Sequence, residues 1–209
     1  MKLWYSTTSP FVRKVRAVAQ YHHLHDQIEL MLVTRAFSAE GAHNRDNPLG
    51  RIPALQLDNG DWLYNSSVIA EYLDSIGSAP TLFPKDESRW KVMSLYSLAE
   101  GVLENTTGGL LPEKMFRPEN EWWLSRHQQI LERNERTLNV IATEVKQFGT
   151  ALNIATLYTV CMVDFLLFRA ALTGAEKYSA MAELKEWAAQ MNALYPCLKD
   201  TVPVMPPQL

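Results

Sequence analysis

The chain has 209 residues, of which 47% are hydrophobic and 21% charged, and its formal net charge is −3 at pH 7. These values are typical of a soluble globular protein with one large domain or two small ones. The small negative charge gives no electrostatic reason to expect nucleic acid or an anionic membrane as a partner. The two cysteines, Cys161 and Cys197, lie in separate apolar helical patterns, which suits a reducing cytosol and argues against a disulfide framework or a zinc site. Because Met1 leads directly into a strand pattern, we expect no signal peptide and a cytoplasmic protein.

The first informative stretch is a strand pattern over residues 1–5 that runs through a hydroxyl-rich turn into a helix. Ser9 is predicted to cap this helix, and Pro10 suits the first helical position, where a missing N–H costs nothing. A helix start of this kind exposes backbone N–H groups at the positive end of the helix dipole. The stretch therefore indicates either an anion-holding site or an ordinary capped helix.

The histidines that follow, His22, His23 and His25, do not predict a metal site. No carboxylate or cysteine lies at ligand spacing from them, and histidine is favourable at the end of a helix. A second strand is predicted over Gln27–Val33, followed by a polar loop with a short helix over Thr34–Asn47.

The second informative stretch, Asn47–Leu57, combines a Pro-Leu-Gly turn with a strand whose first residue is Pro53. A hairpin signal at residues 58–61 leads to a returning strand at residues 62–64, and Asn65-Ser66-Ser67 caps another helix. This order of elements predicts a compact α/β domain whose first two strands are parallel.

Beyond Lys85 the pattern is helical throughout. A long apolar segment, Ile154–Leu172, carries Asp164 and Arg169, each of which would cost about 2.5–3.5 kcal/mol near the centre of a bilayer. A buried helix of a bundle is therefore predicted there, with Asp164 in a structural role. The first of the other predicted helices runs from Val92 to Leu103, with a break or distortion near its end at Gly108-Gly109 and Pro112. A long helix after Arg117, a helix over Met181–Leu194 and a Pro-rich tail over residues 203–207 follow.

Three motifs occur in order: Ser-Pro-Phe-Val-Arg-Lys at residues 9–14, Asn-Pro-Leu-Gly-Arg-Ile-Pro at residues 47–53 and Ile-Ala-Glu-Tyr-Leu at residues 69–73. Together with the Leu-Phe-Pro linker and the helical second half, they make the chain resemble the glutathione S-transferase family, and its bacterial cytosolic members most. The resemblance implies an α/β thioredoxin-like N-terminal domain over residues 1–79, a linker over residues 80–86 and an all-α domain over residues 87–209. It also implies a homodimer.

The resemblance places Ser9 where a glutaredoxin has its redox cysteine, and Val12 where it has the resolving thiol. Thiol–disulfide exchange through protein cysteines is therefore excluded at this position. The role left for Ser9 is a hydrogen bond to the sulfur of glutathione, the implied co-substrate, and no metal is required. Thr7 and Thr8 are rival donors.

The other two motifs imply further contacts with glutathione. Ile52 would bind the cysteinyl part through its backbone, with Pro53 in the cis form, and Ser66 would hold the γ-glutamyl carboxylate at a helix start. Arg51 either neutralises the glycine carboxylate or is a solvated turn residue. Asn65 departs from the family pattern, because Glu or Asp commonly stands there and binds the γ-glutamyl amine with a charge that asparagine lacks.

A second departure concerns the central helix of the helical half. The family often begins this helix with a capping box that ends in Asp. Asn153 is a good cap here, but Thr156 has no carboxylate with which to return the reciprocal bond.

The family's electrophile site lies between its two domains, and the resemblance assigns Phe11, Tyr96, Leu103 and Thr107 to it. These residues are equally compatible with core packing. We therefore predict a glutathione transferase acting on a small hydrophobic electrophile, with a glutathione-dependent isomerase or reductase as a variant. The alternative is a non-catalytic module of the same fold that binds or regulates another protein.

Overall fold

The computed structural model describes residues 1–33 and 36–205. They form two compact units, one comprising Met1–Phe83 with the chain from Pro196 onward, the other Pro84–Tyr195. The predicted loop over Thr34–Asn47 and the Pro-rich tail lie partly outside the described residues.

The first unit is built on a four-stranded sheet in the order β2-β1-β3-β4, in which β1 and β2 are parallel and the other pairs antiparallel. Its strands are β1 (Lys2–Tyr5), β2 (Glu29–Leu32), β3 (Ala54–Gln56) and β4 (Trp62–Tyr64), and its two long helices are α1 (Pro10–Tyr21) and α2 (Ser66–Ile76). The parallel pair confirms the predicted crossover through α1. The short helix predicted between β2 and β3 is a 3-10 turn at Ala42–Arg45.

The core of the first unit lies between the central strands and the two helices. Leu3 of β1 and Leu55 of β3 are opposite each other in the sheet, and both are fully buried. Val12, Val15 and Val18 bury one face of α1, because residues three and four apart share a face of a helix.

The second unit consists of helices. They are α3 (Arg89–Asn105), α4 (Leu111–Phe116), α5 (Leu124–Phe148), α6 (Ile154–Phe168), α7 (Ala170–Thr173) and α8 (Met181–Leu194). The predicted buried helix is α6, in which twelve residues are buried. Asp164 accepts a hydrogen bond from Asn192 of α8 at 2.9 Å, which is the kind of partner that its predicted structural role requires.

The break or distortion predicted near Gly108-Gly109 is a distortion, a π-helical turn over Thr106–Leu110 through which α3 runs on into α4. Helix boundaries in the second unit differ from the predictions at two places. Helix α5 begins only at Leu124, after a 3-10 turn at Glu119–Glu121. Helix α6 ends at Phe168 rather than at Leu172, because Arg169 leaves helical geometry with φ −107° and ψ 25°.

The prediction about the start of α6 was incomplete. Asn153 accepts hydrogen bonds from the N–H groups of Ala155 and Thr156, as expected of a cap. The Thr156 hydroxyl accepts the reciprocal bond from the Asn153 N–H at 2.9 Å. The capping box is therefore complete, because a hydroxyl oxygen supplies the acceptor that we expected only from a carboxylate.

After α8 the chain returns to the first unit with the short helix α9 (Pro196–Lys199). Two side chains of α1 hold this segment. The Arg13 guanidinium donates to the Leu198 carbonyl at 3.1 Å, and the Gln20 amide donates to the Asp200 carboxylate at 3.0 Å. Further on, the Val204 N–H donates to the carbonyl of Thr7 at 3.2 Å.

The arrangement is a thioredoxin-like N-terminal sheet with helices, followed by a helical region, as predicted. Over residues 1–33 and 36–205, no helix is long and apolar enough to cross a membrane.

Candidate functional site

Ser9 lies at the point where the turn after β1 enters α1. Its backbone is extended, with φ −75° and ψ 124°, and its hydroxyl oxygen accepts a hydrogen bond from the Val12 N–H at 3.3 Å. Pro10 occupies the first turn of the helix, so both predictions about this helix start are confirmed. The hydroxyl is half-buried, and its proton has no acceptor in the part of the chain that the structure describes. Ser9 can therefore cap the helix and donate a hydrogen bond to a ligand at the same time.

The Ile52-Pro53 peptide bond is cis, as the resemblance implied, and it directly precedes β3. Pro53 is buried, Ile52 is half-buried and Arg51 is exposed. Within the described residues, neither the N–H nor the C=O of Ile52 has a hydrogen-bond partner. This backbone edge can therefore pair with an extended peptide ligand.

Asn47, which sequence reasoning did not single out, holds the turn before Ile52. Its side chain is buried, donates to the carbonyl of Arg51 at 2.6 Å and accepts from the N–H of Leu49 at 3.0 Å. The buried His43 lies 3.3 Å from the carbonyl of Gly50 through its Nε2. The available signal was an asparagine directly before Pro-Leu-Gly, since asparagine side chains commonly bond the backbone of the turn that follows.

Asp46 anchors the same loop to the sheet. Its carboxylate accepts a hydrogen bond from the Trp4 indole at 2.8 Å, and its carbonyl accepts one from the Tyr64 hydroxyl at 3.1 Å. Side chains from β1 and β4 thus hold one loop from two sides. These contacts fix the chain that leads into Ile52.

Asn65 and Ser66 form the start of α2. Asn65 has a positive φ of 71°, which asparagine tolerates better than most residues, and its Oδ1 accepts a hydrogen bond from the Ser67 N–H at 2.8 Å. Asn65 is exposed and Ser66 is buried. The amide oxygen that the resemblance assigned to the γ-glutamyl amine is therefore already used as a helix cap, with one lone pair remaining.

The strand register places these three segments at one end of the sheet. Ala54 is opposite Trp4 in the β1–β3 pair and opposite Tyr64 in the β3–β4 pair. Ser9 follows Trp4 by five residues, Ile52 precedes Ala54 by two and Asn65 directly follows Tyr64. One hydroxyl, one unpaired backbone edge and two helix starts therefore converge at this end of the first unit.

The residues assigned to electrophile binding are distributed over both units. Phe11 is half-buried in the first turn of α1. Tyr96 and Leu103 are buried in the second unit, where the ring of Tyr96 lies 5.0 Å from that of Tyr158. Thr107 lies in the π-helical turn, and its hydroxyl donates to the carbonyl of Leu103 at 2.7 Å.

The aromatic pair in the second unit is electrostatically unusual. Burial of the Tyr158 phenol, together with the nearby carboxylate of Glu100, raises the pKa of Tyr158 well above its usual value. An ordinary phenol is already neutral at physiological pH, and this shift keeps that of Tyr158 neutral, and a hydrogen-bond donor, in the alkaline range as well. Within the described residues, no three His, Cys, Asp or Glu side chains are grouped as metal ligands would be.

Comparison with known proteins gives consistent relatives. Residues 8–76 match the family described as "Glutathione S-transferase, N-terminal domain". A glutathione transferase family member from Pseudomonas fluorescens Pf-5, crystallised with bound glutathione, is 28% identical with a TM-score of 0.88, covering 98% of this chain and 99% of that one.

Two further relatives point to the same family. A glutathione S-transferase from Methylobacillus flagellatus, with glutathione bound, is 32% identical with a TM-score of 0.82, covering 97% of this chain and 99% of that one. The uncharacterized GST-like protein YibF of Escherichia coli K12 is 28% identical over 179 residues, which are 83% of this chain and 86% of that protein. The motif order, the fold and these relatives agree that the chain belongs to the glutathione S-transferase family.

Proposed function

We propose that this protein is a cytoplasmic, homodimeric glutathione transferase that activates the thiol of bound glutathione for attack on a small hydrophobic electrophile. The observation that carries the proposal is the convergence of Ser9, the unpaired backbone of Ile52 and the helix start at Ser66 at one end of the sheet. Relatives that cover nearly all of the chain have been crystallised with glutathione bound, which supports this tripeptide as the ligand.

Ser9 is proposed to donate a hydrogen bond to the sulfur of glutathione. A free thiol has a pKa of about 8.5, so only a few per cent is thiolate at neutral pH. A hydrogen bond to a charged acceptor contributes about 1.5–3 kcal/mol, and a helix N-terminus contributes about 0.3–1 kcal/mol. At about 1.4 kcal/mol per pKa unit, the two effects together lower the thiol pKa by about one to three units. The hydroxyl contributes at least as much as the dipole, and Thr8 is the rival donor.

The remaining contacts orient the tripeptide. The N–H and C=O of Ile52 pair with the cysteinyl residue as an added strand would, next to the buried Pro53. Ser66 binds the γ-glutamyl carboxylate at the start of α2. The exposed Arg51 is free to reach the glycine carboxylate, and Asn65 meets the γ-glutamyl amine with its remaining lone pair.

The chemical step is nucleophilic attack. The thiol proton leaves to solvent, the sulfur lone pair forms a bond to an electrophilic carbon, and a leaving group departs with the displaced electron pair. Phe11, Tyr96, Leu103 and Thr107 are proposed to select the electrophile. A glutathione-dependent isomerase or reductase would use the same thiolate.

One observation favours a second candidate, a non-catalytic binding or regulatory module. Asn65 carries no charge, and its amide oxygen caps α2 through Ser67. Charge-assisted hydrogen bonds are roughly twice as strong as neutral ones, so the γ-glutamyl amine is held less tightly than by a carboxylate. The intact Ser9 and Ile52-Pro53 geometry favours the enzyme.

The two candidates are separated by titrating glutathione while thiolate absorbance is followed, in the parent protein and in Ser9→Ala. We expect saturable binding and a thiol pKa below that of free glutathione in the parent, with the pKa returning toward the free value in the variant. Absence of binding at millimolar glutathione would exclude the transferase. If the variant binds glutathione with an unchanged thiol pKa, the activating hydroxyl belongs to another residue, and Thr8→Val is the next variant.

A further inference from the structure

The first unit contains a cavity of about 170 Å³ that none of the proposed glutathione residues lines. One wall comes from the sheet, where Leu3 and Leu30 are opposite each other in the parallel β1–β2 register. The other wall comes from α1, where Arg16, Ala19 and Gln20 have the spacing of one helix face. His25, Ile28 and Thr201, which lie in turns and connections, complete the lining.

Arg16 is the charged group of this cavity, and its charge is not neutralised by an acid. Partial burial lowers the pKa of the Arg16 guanidinium, and the neighbouring Tyr5 acts in the opposite direction. The Tyr5 ring centroid lies 5.8 Å from the guanidinium carbon, so the contact is a cation–π interaction. In the described part of the chain, no carboxylate forms an ion pair with Arg16.

Two acids contact other residues that line the cavity, and neither pairs with Arg16. Asp200 is exposed and accepts from the Gln20 amide at 3.0 Å. Asp26 is also exposed and lies 3.7 Å from His25 Nε2. A half-buried guanidinium that remains protonated is therefore left to pair with a ligand, because burial makes an unpaired charge costly.

The size and lining of the cavity restrict that ligand. Leu3, Ala19, Ile28 and Leu30 give one part of the cavity an apolar surface, which requires an apolar group in the ligand. The volume is below the roughly 300–1,000 Å³ of sites for drug-sized molecules. A guanidinium binds a carboxylate through two parallel hydrogen bonds, which gives both strength and orientation.

We propose that this cavity is a second ligand site, in which Arg16 binds the carboxylate of a small monocarboxylate whose apolar group packs on Leu3, Ile28 and Leu30. The site is independent of the proposed glutathione chemistry. It would make the first unit a carrier or sensor of small organic acids alongside its glutathione site.

The test is a titration of the whole protein with sodium benzoate in the absence of glutathione, followed by amide chemical shifts. We expect saturable shifts at Leu3, Arg16, Gln20 and Thr201, and methyl benzoate, which lacks the charge, should bind at least tenfold more weakly. Arg16→Met, which keeps an apolar stem, should also weaken benzoate at least tenfold. The matched control is Lys2→Met, because Lys2 is an exposed cation of β1 that pairs with Glu29 outside the cavity.

Three outcomes would overturn the proposal. They are an absence of saturable shifts with benzoate, shifts confined to Ser9, Ile52 and Ser66, and equal affinity for benzoate and its methyl ester. The comparison of acid with ester needs no substitution, so it remains decisive if Arg16→Met does not fold. The benzoate titration contains no glutathione, so its result does not depend on whether the protein binds glutathione. The two proposals can therefore fail separately.

Discussion

The imidazole of His22 lies 2.9 Å from the carboxylate of Asp74, and both side chains are buried. His22 follows the last turn of α1, and Asp74 belongs to the last turns of α2. The same carboxylate accepts hydrogen bonds from the Leu82 N–H at 2.7 Å and the Thr81 hydroxyl at 2.5 Å. One acid therefore joins the ends of two helices to the segment that leaves the first unit.

Removing the charge of Asp74 should destabilise the protein. In Asp74→Asn the hydrogen bonds to His22, Leu82 and Thr81 lose the negative charge of their acceptor, and the loss of this charge assistance costs about 1–3 kcal/mol in total. We expect a loss of that size in the free energy of unfolding measured by urea denaturation. Asp26→Asn is the control, because Asp26 is exposed, and it should change stability by no more than about 0.5 kcal/mol. Equal effects of the two substitutions would contradict a central role for Asp74.

Gly77 is required beside this network for a steric reason. A Cβ atom there would lie 2.1 Å from Nδ1 and 2.6 Å from Cβ of His22. Both the imidazole and the backbone of His22 would therefore have to move. Gly77→Ala should therefore destabilise the protein by about 1–3 kcal/mol, as overpacking does. Gly101→Ala in α3 meets no atom within 4 Å and should instead stabilise by about 0.5–1 kcal/mol. Thermal unfolding of both variants would show the opposite signs, and a stabilising Gly77→Ala would exclude the steric explanation.

The sequence predicted local features well where one residue type determines the outcome. Ser9 and Pro10 define the start of α1, and the Asp-Asn-Gly-Asp turn defines the β3–β4 hairpin, since each position has strong conformational preferences. The cis form of Pro53 came from the family resemblance and not from the residues, because proline in either isomer satisfies the local rules.

Features that depend on tertiary contacts were missed. Gly108-Gly109 predicted a break or a distortion without deciding between them, and the structure has a π-helical turn, where the buried Asn134 donates to the Thr106 hydroxyl at 3.1 Å. The contacts of Arg13 with Leu198 span 185 residues, and no local pattern predicts such a pair. At the site, Asn47 and Asp46 were missed because their role is to hold a turn rather than to touch a ligand.

Cys197 should make stability depend on pH in the alkaline range. Burial raises the pKa of the Cys197 thiol from 9.0 to about 11. The unfolded chain therefore loses this proton first, so the thiol's contribution to stability is present below pH 9 and is lost as pH rises toward 11. The stability difference between the parent and Cys197→Ala should narrow over this range, by on the order of 1 kcal/mol after solvent screening.

The measurement is denaturant unfolding of both proteins at several pH values. Leu198→Val is the control, because it alters packing at a neighbouring buried position without removing a titrating group. The difference between this control and the parent should be independent of pH. A constant difference for Cys197→Ala would mean that the thiol ionises equally in the folded and unfolded chains.

Asn65→Asp should strengthen glutathione binding, if the proposed function is correct. Aspartate keeps the cap on the Ser67 N–H, tolerates the positive φ of 71° and is favoured at a helix N-terminus. Its second oxygen would offer the γ-glutamyl amine a charge-assisted bond, which should lower Kd by about three- to tenfold, or roughly 1 kcal/mol. Calorimetric titration at low and high salt should show that the gain in glutathione affinity becomes smaller as ionic strength rises. Gln129→Glu adds the same charge on the exposed face of α5 and should leave Kd unchanged; an equal gain there would assign the effect to net charge rather than to the γ-glutamyl contact.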